Sequence, residues 1–281
     1  MSLTVPDSFA DGFDDEGAEW LARLPALAES MLERWHLTLD GEPMHGVCAL
    51  VLPVRRAGEP AVLKVTWPHE EAEHEALALR LWDGAGAVRL LAHDPVDWAM
   101  LLERLDPTTS LLDVPLDEAV AVAAELIRVL DRPAPPGIDT VAATAARWVD
   151  EFPAQNTGLV PAELVAQAVA YCRELGPRSA NRLVNQDLHY ENVLRGTRAP
   201  WLLIDPKPIA GDHEFGLFQL LSNRFDESTP DGRLADVVAA AGLDLSLARR
   251  WTFVRAIDVW LECDEEDWLG DTSAKIATAL A

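Results

Sequence analysis

The sequence predicts an α+β chain built as two lobes: a small antiparallel-sheet lobe with one main helix, then a mostly helical large lobe. Three observations carry that expectation. Short apolar runs separated by turn residues fill the first third, at 37–39, 47–54, 61–65, 88–92 and 98–103. Beyond Pro107 the apolar spacing turns helical, at 116–130, 141–152, 162–175, 234–241, 245–262 and 267–280, with Pro-rich breaks at 132–137 and at Pro177. Finally, 281 residues approach what one hydrophobic core can serve, so a division into 1–105 and 106–281 is expected.

Taken in order, residues 1–17 are polar and Asp-rich and read as a loose arm. From 18 to 34, Trp20, Leu21, Leu24, Leu27 and Leu32 recur at helical spacing, with Pro25 as a kink or boundary and core packing as the expected role. Residues 40–46, Asp-Gly-Glu-Pro-Met-His-Gly, separate the first two strands. A glycine-containing turn there suits a loop covering phosphate, because backbone N–H groups reach phosphate oxygens only where side chains are small; an ordinary hairpin turn explains it equally well. The next strand, Ala61-Val62-Leu63-Lys64-Val65, holds one lysine in an apolar run. A helix is expected over 68–82, with Glu70, Glu71, Glu73 and Glu75 in its first turns. Two more strands, 88–92 and 98–103, complete a five-stranded antiparallel sheet.

Composition narrows the function. Forty-seven acidic against 23 basic residues give a net charge of −24, which repels nucleic acid and favours a cationic substrate, or simply maintains solubility. No apolar run is long enough to span a bilayer, and the acidic N-terminus is unlike a signal peptide, so no membrane partner is expected. Cys48, Cys172 and Cys263 have no metal-binding spacing and read as reduced thiols, placing the chain in the cytoplasm. A monomer or weak dimer is expected.

The chemistry concentrates in residues 183–207, LVNQDLHYENVLRGTRAPWLLIDPK. Two strand-like runs, 182–184 and 201–204, deliver Asp187, Asn192 and Asp205. Asp187-Leu188-His189-Tyr190-Glu191-Asn192 fits the D-L-x-x-x-N of a kinase catalytic loop, where Asp handles the acceptor hydroxyl and Asn holds a metal. Asp205 follows a buried-looking strand, as the metal-binding Asp of a kinase does. Phosphoryl transfer needs these types: an amide oxygen and a hard carboxylate for Mg²⁺, and a second carboxylate for the hydroxyl. The bland alternative is a turn, since Asp and Asn favour turns. In the same frame V-L-K-V is similar to the kinase V-A-I-K, in which Lys64 would bind the α and β phosphates. One helix glutamate should pair with it: Glu75, which precedes the apolar 77–81 stretch, or Glu71 on the same helical face.

D-L-H-x-x-N followed by I-D-P-K resembles the aminoglycoside and hydroxyurea phosphotransferases, particularly the branch containing the streptomycin 6-kinases. The resemblance covers about 35–224 and is strongest at these two motifs. It departs at Asn185-Gln186, where the family usually has His-Gly; this pair can still hydrogen-bond locally. The resemblance implies a protein-kinase-like fold and an ATP- and Mg²⁺-dependent transfer to a hydroxyl of a small molecule. Asp187 would be the base, and Asn192 and Asp205 the metal ligands. Lys64 and Glu75 would contact the nucleotide, with Glu103 and Leu105 at an adenine-reading hinge and Lys207 neutralising phosphate. His189 would support the loop, and Asp212 would cap a helix opening at 211–214. Asp264 and Glu265, in the acidic cluster 262–267, would meet a cationic acceptor; a solvated helix boundary is the alternative. Streptomycin is the first acceptor expected, hydroxyurea or an endogenous metabolite the next, and a non-catalytic kinase-fold binder is the rival from another class.

Overall fold

Alternation along the strands builds the N-terminal part. In β3 (Ala49–Arg56) Leu50, Leu52 and Val54 are buried, and in β4 (Glu59–Thr66) so are Ala61, Leu63 and Val65. Successive strand residues point to opposite faces, so these six share one face and Lys64 takes the other. In this computed structural model, which describes residues 5–10, 13, 15–264 and 267–281, that face packs with Trp20, Leu24, Ala28 and Met31. They lie on α2 (Asp15–Arg34), which follows a single helical turn, α1 (Asp7–Ala10). Pro25 lies inside α2 and does not end it, which excludes the boundary of the two expected alternatives, kink or boundary. Leu24 and Ala28 are fully buried on either side of it, and their packing outweighs the lost backbone bond.

The sheet is antiparallel, in the order β1 (Leu37–Leu39), β3, β4, β6 (Ala99–Glu103), β5 (Leu90–Asp94); β2 (Met44–His45) also pairs with β3. Among the described residues it thus has six strands, where five were expected. Met44–His45 pairs with Leu50 and Val51, so the hairpin tip is Gly46-Val47-Cys48 and not the whole of 40–46. The helix expected over 68–82 is split into a 3-10 turn, Glu70–Ala72, and α3 (Glu75–Trp82). No side chain caps His74, and α3 is held by burial of Glu75, Ala76, Ala78, Leu79 and Trp82.

The chain divides into two units, Met1–Asp106 and Pro107–Ala281. At the boundary stands β7 (Asp106–Ser110), a strand where a hinge was expected at 103–107 and the first helix from 116. Then come α4 (Leu116–Leu130), α5 (Val141–Gln155) and α6 (Ala162–Leu175). Four strands follow: β8 (Arg182–Asn185), β9 (Val193–Arg195), β10 (Trp201–Leu203) and β11 (Pro208–Gly211). They form a sheet β10-β9-β7 and a pair β11-β8. The chain ends with α7 (Phe218–Ser222), α8 (Pro230–Ala241), α9 (Leu245–Glu262) and α10 (Trp268–Leu280). No described helix is long and apolar enough to cross a membrane.

Asp212 stands at the N-terminus of a 3-10 turn, His213–Leu217, but its side chain makes no capping bond there. It accepts instead from Ala180 N and Trp251 Nε1, both at 2.9 Å, which corrects the capping expectation: a buried indole N–H needs an acceptor more than the short turn needs a cap.

Asp258 on α9 is 8% exposed and accepts from Arg255 Nη1 at 3.0 Å. Burial pushes its carboxyl up to about 7, opposed by Arg255 and Arg147 and assisted by Glu262 and Glu151. The unfolded chain releases this proton near 3.8, so between that pH and about 7 the folded state binds more protons and stability falls as pH rises. Asp258→Asn should flatten this fall, raising the urea midpoint relative to wild type at about pH 8 while changing it little at about pH 4.

Candidate active site

Lys64 projects from β4 on the face opposite the α2 core. Its Nζ donates to Glu75 Oε1 at 2.8 Å and Oε2 at 2.7 Å, with side chains 7% and 2% exposed. Glu71, the other candidate, is exposed. Two charges this buried are each offset by the other. Glu103 ends β6 and its Oε2 accepts from Arg89 N at 3.1 Å, while Leu105 is buried. Ahead of the hairpin tip, Asp40 is ion-paired with Arg55 at 3.0 Å and Arg104 at 2.5 Å, and the bonds from Arg104 and Arg55 hold its carboxyl below the usual range.

In the second unit, the stretch after β8 is tied down by one side chain. Asn185 Oδ1 accepts from Asp187 N at 3.2 Å and from Lys207 N at 2.9 Å, and Gln186 N donates to Lys207 O at 3.0 Å. The residue replacing the family's usual His therefore joins the two halves of the candidate site. Gly216 lets the 213–217 turn close on this point, since a Cβ there would lie 2.5 Å from Asn185 O. Asp187 is 9% exposed; Lys207 Nζ lies 3.6 Å and His189 Nε2 3.9 Å from its Oδ2. His189 Nδ1 is also 3.5 Å from Glu191 Oε2, an ionic setting within the loop.

Asn192 and Asp205 reach the same end of the β9–β10 hairpin. The register pairs Val193 with Leu203, and Ile204 N donates to Asn192 O at 2.8 Å, so both polar residues lie just beyond the same end of the ladder. Asp205 is exposed and has φ of +48°, the left-handed region that Asp tolerates better than most residues. An amide oxygen and a carboxylate suit a hard cation such as Mg²⁺, which usually completes its shell with water and substrate phosphate oxygens. No group of three or more His, Cys, Asp or Glu able to hold a metal occurs among the described residues.

Sequence reading missed Gln219, whose Nε2 donates to Asp187 Oδ1 at 3.1 Å. The available signal was one amide in the apolar run Phe215-Gly216-Leu217-Phe218-Gln219-Leu220-Leu221. Asn185 was noted as a departure, but its double acceptor role had no sequence signature. Of the acidic cluster, Asp264 is exposed and Asp267 caps α10 by accepting from Leu269 N at 2.7 Å; Glu265 lies outside the described residues.

The whole chain resembles known proteins. Streptomycin 6-kinase of Streptomyces glaucescens is 39% identical over 289 residues, covering 97% of this chain and 94% of that one. Hydroxyurea phosphotransferase of Kitasatospora aureofaciens is 39% identical over 274 residues, covering 94% and 81%. A thermostable mutant of aminoglycoside phosphotransferase APH(4)-Ia, solved with AMP-PNP and hygromycin B, superposes with a TM-score of 0.66 at 15% identity, over 90% of this chain and 96% of that one. That likeness establishes the α+β, protein-kinase-like fold. The family described as aminoglycoside/hydroxyurea antibiotic resistance kinase matches residues 34–264, and the chain belongs to it.

Proposed function

We propose that this chain is an ATP-dependent O-phosphotransferase whose acceptor is a hydroxyl of a small molecule, streptomycin first. The observation that carries the reading is the convergence of Asp187 and Lys207 on Asn185, next to a hairpin that ends in Asn192 and Asp205. Asp187 accepts the proton of the acceptor hydroxyl as that oxygen bonds to the γ-phosphorus. The bond from the same phosphorus to the bridging oxygen breaks, and ADP leaves. Asn192 and Asp205 hold Mg²⁺, which when bound neutralises charge on the phosphate oxygens. Lys64, fixed by Glu75, takes the α and β phosphates, the main chain at Glu103 and Leu105 reads adenine, and Lys207 offsets charge beside Asp187. Fixed charges at these positions supply most of the rate enhancement.

Streptomycin is favoured over hydroxyurea by charge: the chain carries −24, and guanidinium groups gain from that field where a neutral urea does not. Asp264 and Glu265 remain the candidates for meeting those groups. Labelled ATP with each acceptor tests the reading, and transfer to neither would refute it. Hydroxyurea alone as acceptor would move the substrate class and leave the mechanism standing.

Asp187→Ala should lower kcat roughly 100-fold or more while ATP affinity barely moves. Near-normal turnover would remove Asp187 from the mechanism. Asp205→Asn keeps the shape and loses the charge, so nucleotide titrations with and without Mg²⁺ should converge in the variant and differ in wild type. Glu75→Ala should cost about 3 kcal/mol in denaturant titrations by removing the carboxylate that accepts two bonds from buried Lys64, and raise KM for ATP. Lys64→Met in the Glu75→Ala background should recover much of that stability and none of the ATP binding.

A further inference from the structure

The two oxygens of Asp187 have different surroundings. Oδ1 accepts from Gln219 Nε2 at 3.1 Å, whereas Oδ2 faces Lys207 Nζ at 3.6 Å and His189 Nε2 at 3.9 Å. The terminal torsion of an aspartate is soft and nearly two-fold, so its own rotamer preference does not choose which oxygen points where. An ionised carboxylate only accepts, which obliges Gln219 to present its NH₂ there and its carbonyl elsewhere. Ser222 meets that carbonyl: its one hydroxyl proton is shared between Gln219 Oε1 at 3.3 Å and the Gln219 main-chain O at 3.4 Å, and Ser222 is 3% exposed. Both ends of the amide are thus engaged, and turning it over would set oxygen against carboxylate.

The turn that carries both residues, α7, is anchored from two sides. Arg233, 2% exposed, donates through Nη1 to Leu220 O at 3.0 Å, Leu221 O at 3.3 Å and Asn223 O at 2.6 Å. Tyr190, three residues after Asp187, donates its hydroxyl to Leu220 O at 3.3 Å. Burial pushes that hydroxyl up to about 12, so it stays a donor. Loop and turn are therefore joined through Tyr190 and through Gln219, and the Gln219 link reaches the carboxylate of Asp187.

We infer that Gln219, held by Ser222, is a positioning residue for phosphoryl transfer: it occupies Oδ1 of Asp187 so that Oδ2 is the oxygen presented to the acceptor hydroxyl. The inference rests on the role of Asp187 proposed above. The hydroxyl proton passes to Oδ2, the hydroxyl oxygen gains its bond to phosphorus, and Gln219 keeps both its protons throughout. Its effect is orientation, which acts on kcat and leaves ground-state binding of either substrate alone.

The full-length chain is assayed with ATP and streptomycin, or with hydroxyurea if that is the acceptor. Gln219→Leu should lower kcat about tenfold, the loss expected for one hydrogen bond to a charged group, with both KM values within about twofold. Ser222→Ala should lower kcat less and in the same direction, and Ser222→Thr, which keeps the hydroxyl, should restore it. In an Asp187→Ala background Gln219→Leu should cost nothing further, because there is no carboxylate left to aim. A purely structural role would give the same loss in both backgrounds and overturn the inference. Unchanged kcat in both Gln219→Leu and Ser222→Ala would overturn it too. If Gln219→Leu does not fold, the Ser222 pair decides, since Ser222→Ala leaves every contact of Arg233 and Tyr190 in place. A wild type inactive on both acceptors, or an Asp187→Ala variant near full activity, sinks the parent assignment and this inference together; the results above sink only the inference.

Discussion

One side-chain oxygen, Asn185 Oδ1, receives the amides of Asp187 and Lys207, residues twenty apart in sequence. The base candidate and the segment leading away from Asp205 are thereby set in one frame. The other end of the same amide, Nδ2, is buried with no partner among the described residues. Such an orphan costs about 1 kcal/mol or more, so the double acceptance must outweigh it for the arrangement to persist. A histidine in this position would offer one lone pair through a neutral ring nitrogen; an amide oxygen offers two. The departure from the usual family residue is thus a change in how the loop is fastened.

Around that point, order is passed on by buried donors more than by apolar contact. Arg233 satisfies several carbonyls at the end of α7 and just beyond it, stretches whose own helical bonds have run out. Gly216 permits the neighbouring turn to touch the backbone of Asn185. Precision at a reacting group requires that its supports be held in turn. Here the supports come from three separate stretches of chain, Asn185, Gly216 and the 219–233 region.

The elements with strong local signals were legible from sequence. The spans α4, α6 and α9 follow directly from apolar spacing, and the lone lysine of β4 stood out because its neighbours are all apolar. Boundaries failed where long-range pairing or burial overrode local preference. Residues 106–110 became a strand because β9 was there to pair with, a partner more than eighty residues away. The 68–82 helix broke in two, although every glutamate in its first half is a good helix former. Asp212 looked like a cap because caps are local, whereas its partner, the indole of Trp251, is thirty-nine residues on. Gln219 escaped for the same reason, and so did the bond from Lys207 N to Asn185, twenty-two residues apart: contacts this distant leave no periodicity behind.

The left-handed backbone at Asp205 carries an evolutionary consequence. Glycine adopts φ near +48° without penalty, and asparagine nearly so, while most other residues pay about 1 kcal/mol or more. The shape of this turn alone would therefore accept Gly, Asn or Asp, and only the last supplies a full negative charge. A descendant released from selection for activity could drift to glycine here with its fold intact or strengthened. On the metal-holding role proposed for Asp205, the identity of this one residue in a newly sequenced relative would separate chains still under selection for phosphoryl transfer from those retained as folded scaffolds.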